Sequence, residues 1–215
     1  MKKALISTAL IVGLSSIANA QSNAFKSGFY GGVDAGYTKV SDETHTTAAA
    51  LVSALGGSAA VTQNTGVGTG RIFAGYKATE NFDFEVGYFK AGNITQNIAG
   101  VARNSVAYTG NVTIKTTGYD YSVLARPNIS SGWNNAFLRV GGQYSEYKGS
   151  FTLTGTSTAN FSSKVNGNGY LFGAGYDFNV ANNIDVRAQA TRLMKIAGES
   201  DSNATIYQIG VVGKF

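Results

Sequence analysis

The feature that most constrains this chain is a two-residue alternation of side-chain type that recurs along most of its length. In the segment from Phe29 to Tyr37, one face consists of Phe, Gly, Val, Ala and Tyr, and the other of Tyr, Gly, Asp and Gly. A period of two with one apolar face is typical of a β-strand. The pattern recurs, and we predict eight strands near 28–40, 67–78, 82–91, 114–126, 136–148, 166–179, 183–195 and 204–215.

The links between the predicted strands alternate between short and long. The short links are 79–81, 127–135 and 180–182, and the long links, rich in Ser, Thr, Asn, Ala and Gly, are about 41–66, 92–113, 149–165 and 196–203. Short turns at one end and long loops at the other are typical of an outer-membrane barrel with an even number of strands. After residue 20 no apolar run is long enough for a membrane helix, so a spanning chain must close its sheet. We therefore predict an all-β fold, an eight-stranded antiparallel up-and-down transmembrane β-barrel.

The N-terminus predicts export. Lys2 and Lys3 precede an uncharged apolar stretch, 4–17, and Ala18-Asn19-Ala20 has the small-x-small form of a cleavage site. We predict a cleaved signal peptide over 1–20, a barrel domain over 21–215, and the bacterial outer membrane as the location. The formal net charge of +5 falls to +3 without the two lysines, and no basic helix accompanies it, which argues against a nucleic-acid partner. A soluble β-sandwich with its aromatics in a core is the alternative fold, but the apolar face continues around all eight strands.

Fixing the register on Phe215 separates the two faces of every strand. The last strand then points Tyr207, Ile209, Val211 and Phe215 outward, and aromatics near both strand ends are candidates for interfacial girdles. Six acids and six bases point inward, which predicts a structural network of ion pairs, because buried charges persist only when paired. An eight-stranded barrel is just wide enough for side chains to fill, so we expect a plugged lumen. The inward charged set is Asp34, Arg71, Lys77, Asp83, Glu85, Asp120, Arg126, Arg139, Asp177, Asp185, Arg187 and Lys214.

Several segments resemble the transmembrane domain of OmpA and its relatives, including the OmpX-like and opacity-type barrels. The resemblance lies in 28–37, 71–76, 82–88, 169–176 and the terminal 207–215, where Gly and aromatic residues alternate. It implies the barrel fold over essentially the whole mature chain. It also implies that the terminal stretch is the signal that the outer-membrane insertion machinery reads. The peptidoglycan-binding domain of full-length OmpA has no counterpart in this sequence, so cell-wall tethering is not implied.

Motifs that would carry catalysis or bind a cofactor are scarce. Barrels of similar size include lipid A deacylases and palmitoyltransferases, and a Ser–His hydrolase needs a histidine beside its serine. The one histidine, His45, falls in the first long link, away from the surface where a lipid ester would lie. Asp42, Glu43 and His45, or Glu199 and Asp201, could be read as a cation site, but solvated loop charge is the better interpretation. We predict a protein that is not an enzyme and has no cofactor or metal.

Basic residues cluster near the ends of the strands that lead into the long links. Such a collar has two interpretations that are compatible: long basic side chains extend toward any membrane interface, or they contact the phosphates of lipopolysaccharide. The collar residues are Lys39, Lys90, Lys115, Lys148, Lys164, Arg192 and Lys195.

The function that the sequence favours is a structural or surface-interaction role through the external loops. Its partners would be outer-membrane lipid and lipopolysaccharide, the insertion machinery during assembly, and a host or cell-surface ligand. The first long link also holds an apolar tract, 47–55, that either packs on its neighbours or presents a surface to a partner. The alternatives are a narrow channel for ions or small solutes and, more remotely, a lipid A-modifying enzyme.

Overall fold

The structure, a computed structural model, describes residues 28–40, 58–63, 66–101, 107–127, 135–155 and 158–215. Within these ranges the chain forms ten strands and one 3-10 turn, at Ile196–Gly198. The strands are β1 Gly28–Val40, β2 Ser58–Gln63, β3 Gly66–Lys77, β4 Phe82–Ala91, β5 Ile94–Val101, β6 Ala107–Ala125, β7 Ala136–Thr154, β8 Thr158–Ala181, β9 Ile184–Met194 and β10 Ala204–Lys214.

Eight of these strands close into an antiparallel barrel, as the alternation predicts. The order around the barrel is β1, β3, β4, β6, β7, β8, β9 and β10, and β10 pairs with β1 from Tyr30↔Lys214 to Val40↔Ala204. If direct cross-strand partners are followed from Lys39 of β1 through each strand in turn, the path returns to β1 at Phe29. The start and the end of the path are ten residues apart along β1. This stagger tilts the strands against the barrel axis, as closure of an eight-stranded sheet requires.

The two ends of the barrel differ. At one end, which we call the turn end, β8 and β9 are joined by a two-residue turn, and Thr79 Oγ1 accepts hydrogen bonds from the Asn81 and Phe82 amides between β3 and β4. The last strand also reaches this end, where the Phe215 amide donates to the Phe29 carbonyl. The other end, the loop end, carries the connections β1–β2, β4–β5–β6, β7–β8 and β9–β10.

At the loop end the predicted strand bounds are wrong. The second and third long links contain a strand, β5, and a hairpin made by extending β7 to Thr154 and starting β8 at Thr158. β6 also begins at Ala107, earlier than predicted, and β2 pairs with β5. These segments carry mostly Ser, Thr and Asn on the exposed face and only partly apolar residues on the other, so the apolar–polar contrast that identifies a half-buried strand is weak there. We call this five-stranded sheet, made of β2, β5 and residues 107–117, 146–154 and 158–166, the extension.

The outer surface of the barrel is apolar and the interior is charged. Large apolar side chains point away from the barrel, including Phe29, Ile72, Val86, Leu138 and Ile209, each of which is more than half exposed. Buried carboxylates and guanidinium groups, among them Asp34, Glu85 and Arg71, lie inside. Such an arrangement is the reverse of a soluble protein and is expected when hydrocarbon surrounds the barrel. It rules out the β-sandwich alternative, in which aromatic residues would fill a core.

Within the described ranges, no helix has the length and apolar character needed to cross a membrane. Several predictions concern residues outside those ranges: the signal peptide 1–20, the loop residues Asp42, Glu43 and His45, and the apolar tract 47–55.

Candidate functional site

The structure places all twelve of the predicted inward charges in the lumen, where strand register decides which of them meet. Arg71, on β3, lies at the centre. It donates hydrogen bonds to Asp34 (3.2 Å), Glu85 (2.8 Å) and both carboxylate oxygens of Asp120 (2.8 and 2.7 Å). A Cβ atom at Gly87 would lie 2.7 Å from the Arg71 guanidinium. The Arg71 guanidinium can therefore occupy this position only because Gly87 has no side chain.

A second arginine joins the network from the opposite wall of the barrel. Arg187, on β9, donates to Glu85 (2.6 Å) and to both oxygens of Asp177 (2.7 and 3.1 Å). Its guanidinium carbon also lies 5.0 Å from the centre of the Phe73 ring and 4.9 Å from that of Phe137. Two ring faces and two carboxylates thus surround a charge whose side chain is 1% exposed, which is the environment that a buried cation requires.

Further pairs continue the network toward the turn end. Arg126 donates to Asp83 and Asp177, each at 2.8 Å, and Lys214 bonds Asp185 at 2.6 Å. Arg139, on the opposite side, donates to Asp120 at 2.5 Å. A small pocket of about 70 Å³ opens at this end, and Lys77 and Lys214 are among the residues that line it.

Toward the loop end the lumen becomes uncharged and then apolar. Above Arg71 lie buried amides, including Gln143, Gln189 and Gln208, and Gln189 donates to Asp34 at 2.9 Å. Beyond them a cluster of buried apolar residues closes the mouth, with Tyr147 packed against it. We call this cluster the seal; it consists of Phe89, Leu171, Leu193, Ile196, Ala204 and Ile206.

The β9–β10 connection holds the seal in place. Ile196 and Ala197 are both 2% exposed, the Ala197 amide donates to Ser145 Oγ at 2.8 Å, and the hydroxyls of Tyr147 and Ser202 lie 2.6 Å apart. Sequence reasoning missed the seal, although the register fixed on Phe215 already points Ile206 inward. The signal lies in the inward residues of β9 and β10, which change from charged at the turn end (Arg187, Lys214) to apolar at the loop end (Leu193, Ile206).

Three of the seven collar residues form one cross-strand row on the outer face. Lys115 of β6 is the direct partner of Lys148 of β7, which is the direct partner of Lys164 of β8. Like charges that face each other across a sheet repel. Glu146 offsets part of the repulsion, since its carboxylate oxygens lie 2.9 Å from Lys148 Nζ and 2.6 Å from Lys164 Nζ. Three cations and one anion leave this lysine row with an excess of positive charge.

The electrostatics of the lysine row depend on Glu146. Hydrogen bonds from Lys164 and then Lys148 hold the pKa of the Glu146 carboxyl below its usual value, and the hydrogen bond to Glu146 raises the pKa of Lys164. The carboxylate therefore stays ionised to a lower pH than a free glutamate does. As the pH falls through this lowered pKa, the row loses its one anion while the lysines stay charged, and anion binding should increase.

Replacing Glu146 with glutamine should reproduce that gain at neutral pH. We expect Glu146→Gln to raise the affinity of the refolded protein for a soluble polyanion, inorganic polyphosphate, about threefold, because exposed ion pairs are weak and only part of the row is freed. Isothermal titration calorimetry at low salt measures the change. Glu199→Gln, a neutralised acid in the β9–β10 link, is the control. Equal affinities of Glu146→Gln and the unmodified protein would contradict the role given to Glu146.

The other collar residues lie apart from the lysine row. Lys39 and Arg192 belong to a second row, on either side of Thr205, and Arg192 Nη1 donates to Thr205 Oγ1 at 2.9 Å. Lys90 is exposed at the end of β4, and Lys195 is exposed where β9 ends. The collar therefore consists of two separate rows, one on β6, β7 and β8 and one on β1, β10 and β9, and of two more exposed lysines.

Neither the acidic residues of the last link nor any other described group forms a candidate metal centre. Glu199 and Asp201 are exposed, and no set of three or more metal-ligating side chains occurs among the residues that the structure describes. Tyr207 and Ile209 of β10, and Phe215 directly after it, are more than half exposed on the outer face, and Val211 is partly exposed.

Comparisons with known proteins address the family directly. Residues 7–215 match the family model of the outer membrane protein β-barrel domain. No curated protein matches the sequence. Among solved structures, the attachment invasion locus protein Ail of Yersinia pestis, in complex with the heparin analogue sucrose octasulfate, is 12% identical, with 87% of this chain and 99% of Ail covered and a TM-score of 0.45. OprG of Pseudomonas aeruginosa is 12% identical, with 88% and 97% covered and a TM-score of 0.41.

Neisserial surface protein A is 20% identical, with 87% of this chain and 97% of that protein covered and a TM-score of 0.39. The family model spans most of the chain, and the closed eight-stranded barrel with an apolar outer surface agrees with it. The chain therefore belongs to the outer membrane protein β-barrel domain family and is a protein of the bacterial outer membrane.

Proposed function

We propose that this protein is a surface-interaction protein whose extension contacts molecules outside the cell, and that it is neither a channel nor an enzyme. The observation that carries the proposal is the extension itself. In the outer membrane the short turns of a barrel face the periplasm and the long connections face outward. The extension therefore stands above the membrane on the extracellular side, as an ordered sheet in place of loose loops.

One edge of the extension is suited to binding an extended segment of a partner. β8 pairs with β7 along the whole hairpin, but its pairing with β9 starts only at Tyr170. The β9 side of 158–166 thus has no strand partner among the described residues. An unpaired strand edge presents a row of amide and carbonyl groups that an added strand can bond. Many recognition proteins bind extended peptides in this way.

Exposed aromatic surface lies beside that edge. The Phe161 side chain is 63% exposed, and its ring stacks against Phe151 with the ring centres 6.3 Å apart. Aromatic residues dominate the binding energy of many interfaces. Lys164 lies on the opposite face of the same strand. A partner strand with apolar side chains on one face and acidic side chains on the other would complement both.

The filled lumen supports an interaction role over transport. The charge network, the amides above it and the seal occupy the barrel between its two ends. We expect the refolded protein to show no reproducible single-channel conductance in a planar bilayer, with circular dichroism confirming the folded barrel. Steps of a defined size would contradict the proposal and favour the channel, with the ion pairs as its selectivity filter.

A non-enzymatic role rests on the residues available. Acyl transfer needs a nucleophile beside a base, and in the described ranges the lumen carboxylates are bonded mainly to arginine and lysine side chains. Arg139 donates a hydrogen bond to Ser122 Oγ at 3.0 Å, but a guanidinium remains protonated and cannot serve as the base. His45 lies outside those ranges. If His45→Ala abolished turnover of an acylated lipid by the purified protein, a lipid A-modifying activity would replace this part of the proposal.

We also propose that the collar contacts the phosphates of lipopolysaccharide, and that the insertion machinery reads the outward residues of β10. The lysine row supports the first of these, since its excess positive charge lies where headgroups are expected. Replacing Lys115, Lys148 and Lys164 together with glutamine should reduce the amount of lipopolysaccharide that co-purifies with the barrel. Unchanged co-purification would contradict this role of the row.

The surface-interaction proposal is tested by removing the tip of the β7–β8 hairpin. Residues 151–161 are replaced with Asn-Gly, which favours the two-residue turn of a tight hairpin, so that Ser150 and Ser162, already cross-strand partners, remain paired. Bacteria that display this variant should lose at least about tenfold in adherence to cultured host cells and in cell–cell aggregation, as loss of an aromatic anchor predicts.

Two controls make the result interpretable. The variant must reach the surface in normal amount and show the electrophoretic shift of a folded barrel. A double variant in the β9–β10 link, Glu199→Gln with Asp201→Asn, should leave adherence unchanged. Equal adherence of the hairpin variant and the unmodified protein would contradict the proposal.

A further inference from the structure

We infer that the barrel holds one phosphorylated, multiply acylated lipid of the outer leaflet in a defined site on its outer surface, formed by β1, β8, β9 and β10. The inference rests on the proposed contact between the collar and lipopolysaccharide, and it goes further by locating a single tight site and its acyl-chain groove. The site and the lysine row share only β8: the site extends from it to β9, β10 and β1, and the row extends to β7 and β6.

The first element of the site is a groove lined by small residues. Two neighbouring cross-strand rows on the outer face are Tyr37–Tyr207–Ala190–Ala174 and Ala35–Ile209–Ala188–Tyr176. Four of these eight positions are alanine, and aromatic rings stand at the sides. An open groove of about 720 Å³ runs through them. We call it the alanine groove.

Small residues matter on a lipid-facing surface for a specific reason. Hydrocarbon is as apolar as the side chains it touches, so binding between them depends on close packing. Alanine lets an acyl chain approach the backbone closely, and the tyrosine rings beside it add contact area. From Lys39 to Ala35 the strand rises about 13 Å, close to the ~15 Å of hydrocarbon in one leaflet. A lipid whose phosphate lies at Lys39 would therefore place an acyl chain across both rows of the groove.

The second element is a pair of cations directly above the groove. Lys39 and Arg192 belong to the next cross-strand row toward the loop end, with Thr205 between them. They lie two residues beyond Tyr37 and Ala190 on their own strands. Neighbouring strands are about 4.8 Å apart, so both long side chains are able to reach one phosphate. The hydrogen bond from Arg192 to Thr205 helps to fix the direction of the guanidinium. The cations suit the phosphate of a phosphorylated lipid, and the groove below them suits one of its acyl chains.

A comparable groove elsewhere on the barrel lacks the cations. It has about 840 Å³ and is lined by Ala74, Tyr121 and Gly142 among others. One of its cross-strand rows is Tyr121–Gly142–Tyr170. The next row toward the loop end is Tyr119–Tyr144–Asn168, which carries no charge. The alanine groove thus has a feature that general lipid contact does not require. This second groove also provides a matched control.

A second copy of the chain fits the alanine groove less well. A two-fold symmetric contact places the same patch of both copies together, which would bring two Lys39 and two Arg192 side chains to one place. The phosphate of a lipid neutralises these cations, whereas a second barrel adds to their repulsion. The charge of the row therefore selects the lipid as the occupant.

Native mass spectrometry of the refolded barrel titrated with purified bisphosphorylated, hexa-acylated lipid A tests the inference. We expect one molecule to bind first and tightly. Both Ala190→Phe, which fills the groove, and the double variant Lys39→Gln with Arg192→Gln should weaken this first binding at least about tenfold, equivalent to ~1.4 kcal/mol. Ala74→Phe, which fills the other groove, should leave it unchanged. Ala190→Leu provides a smaller substitution if the phenylalanine variant does not fold.

The outcomes separate this inference from the proposals on which it rests. If neither Ala190→Phe nor Ala190→Leu alters the first binding, or if Ala74→Phe weakens it equally, the alanine groove is not the site. If the lysine-row triple variant removes the first lipid and the groove variants do not, the collar proposal stands and this inference fails. If the apo protein is a dimer that Ala190→Phe converts to a monomer, a second copy is the occupant. The hairpin variant with 151–161 replaced should bind the first lipid normally.

Discussion

Replacing Arg71 with methionine is expected to lower the free energy of unfolding by about 3–5 kcal/mol, because it leaves buried carboxylates without their cation. Asp34 is the most affected, since its other hydrogen-bond donor in the network is the neutral amide of Gln189. Glu85 and Asp120 keep Arg187 and Arg139. Urea titration of the protein refolded in phospholipid vesicles, followed by far-UV circular dichroism and by the electrophoretic shift of the folded barrel, measures the loss.

A compensating variant separates charge imbalance from loss of packing. Arg71→Met combined with Asp34→Asn removes a cation together with the carboxylate that depends on it most, and should recover part of the lost stability. Lys90→Met, at an exposed position of the same barrel, should change stability little. If Arg71→Met were as stable as Lys90→Met, the ion-pair network would have no role in holding the barrel together.

The second large effect is expected from Gly87→Leu. A Cβ atom there would lie 2.7 Å from Nε and Nη2 of Arg71, so a leucine side chain would displace the guanidinium that bonds Asp120. We expect a loss of about 2–4 kcal/mol, from overpacking and from hydrogen bonds left unmade. The same urea titration measures it.

Gly70 offers a matched control on the neighbouring strand. It lies in β3 with its face outward, and a Cβ atom built there meets nothing within 4 Å. Gly70→Leu should therefore fold as the unmodified protein does. A comparable loss from both substitutions would mean that glycine is required for the strand backbone and not for the space that Arg71 occupies.

The barrel was predictable because each of its strands carries the necessary information within itself. In β1, β4 and β10 exposed apolar residues such as Phe29, Phe84 and Ile209 alternate with buried polar residues such as Asp34, Glu85 and Gln208, so a single strand reveals both its conformation and its two faces. One fixed point, Phe215, was enough to assign inside and outside. The twelve lumen charges follow from that assignment, since successive residues of a strand point to opposite faces of the sheet.

The extension was not predictable in the same way, because its strands are not surrounded by hydrocarbon. Thr109, Asn111 and Thr113 alternate with residues such as Gly110 and Val112, and hydrogen bonds between side chains, including Asn111 to Asn97, stabilise the exposed face. A polar exposed face and a partly apolar inner face give a weak version of the pattern, which is easily read as a loop.

The register between neighbouring strands could not be predicted from the sequence either. That Lys115, Lys148 and Lys164 form one row, or that four alanines from β1, β8 and β9 line one groove, depends on the stagger of the whole barrel. Alternation within a strand does not fix the offset between neighbours. Turn geometry and interior packing together fix that offset.

The pairing of β1 with β10 has a consequence for how the molecule is made. The two strands that complete the cylinder are the first and last of the barrel to be synthesised, and their partner positions are separated by nearly the whole chain. The ring thus stays open until β10 has left the ribosome. Glu85 and Arg187, 102 positions apart, likewise cannot meet before β9 has been made. Closure of the barrel therefore depends on β10, and a chain truncated before β10 has no route to a sealed cylinder.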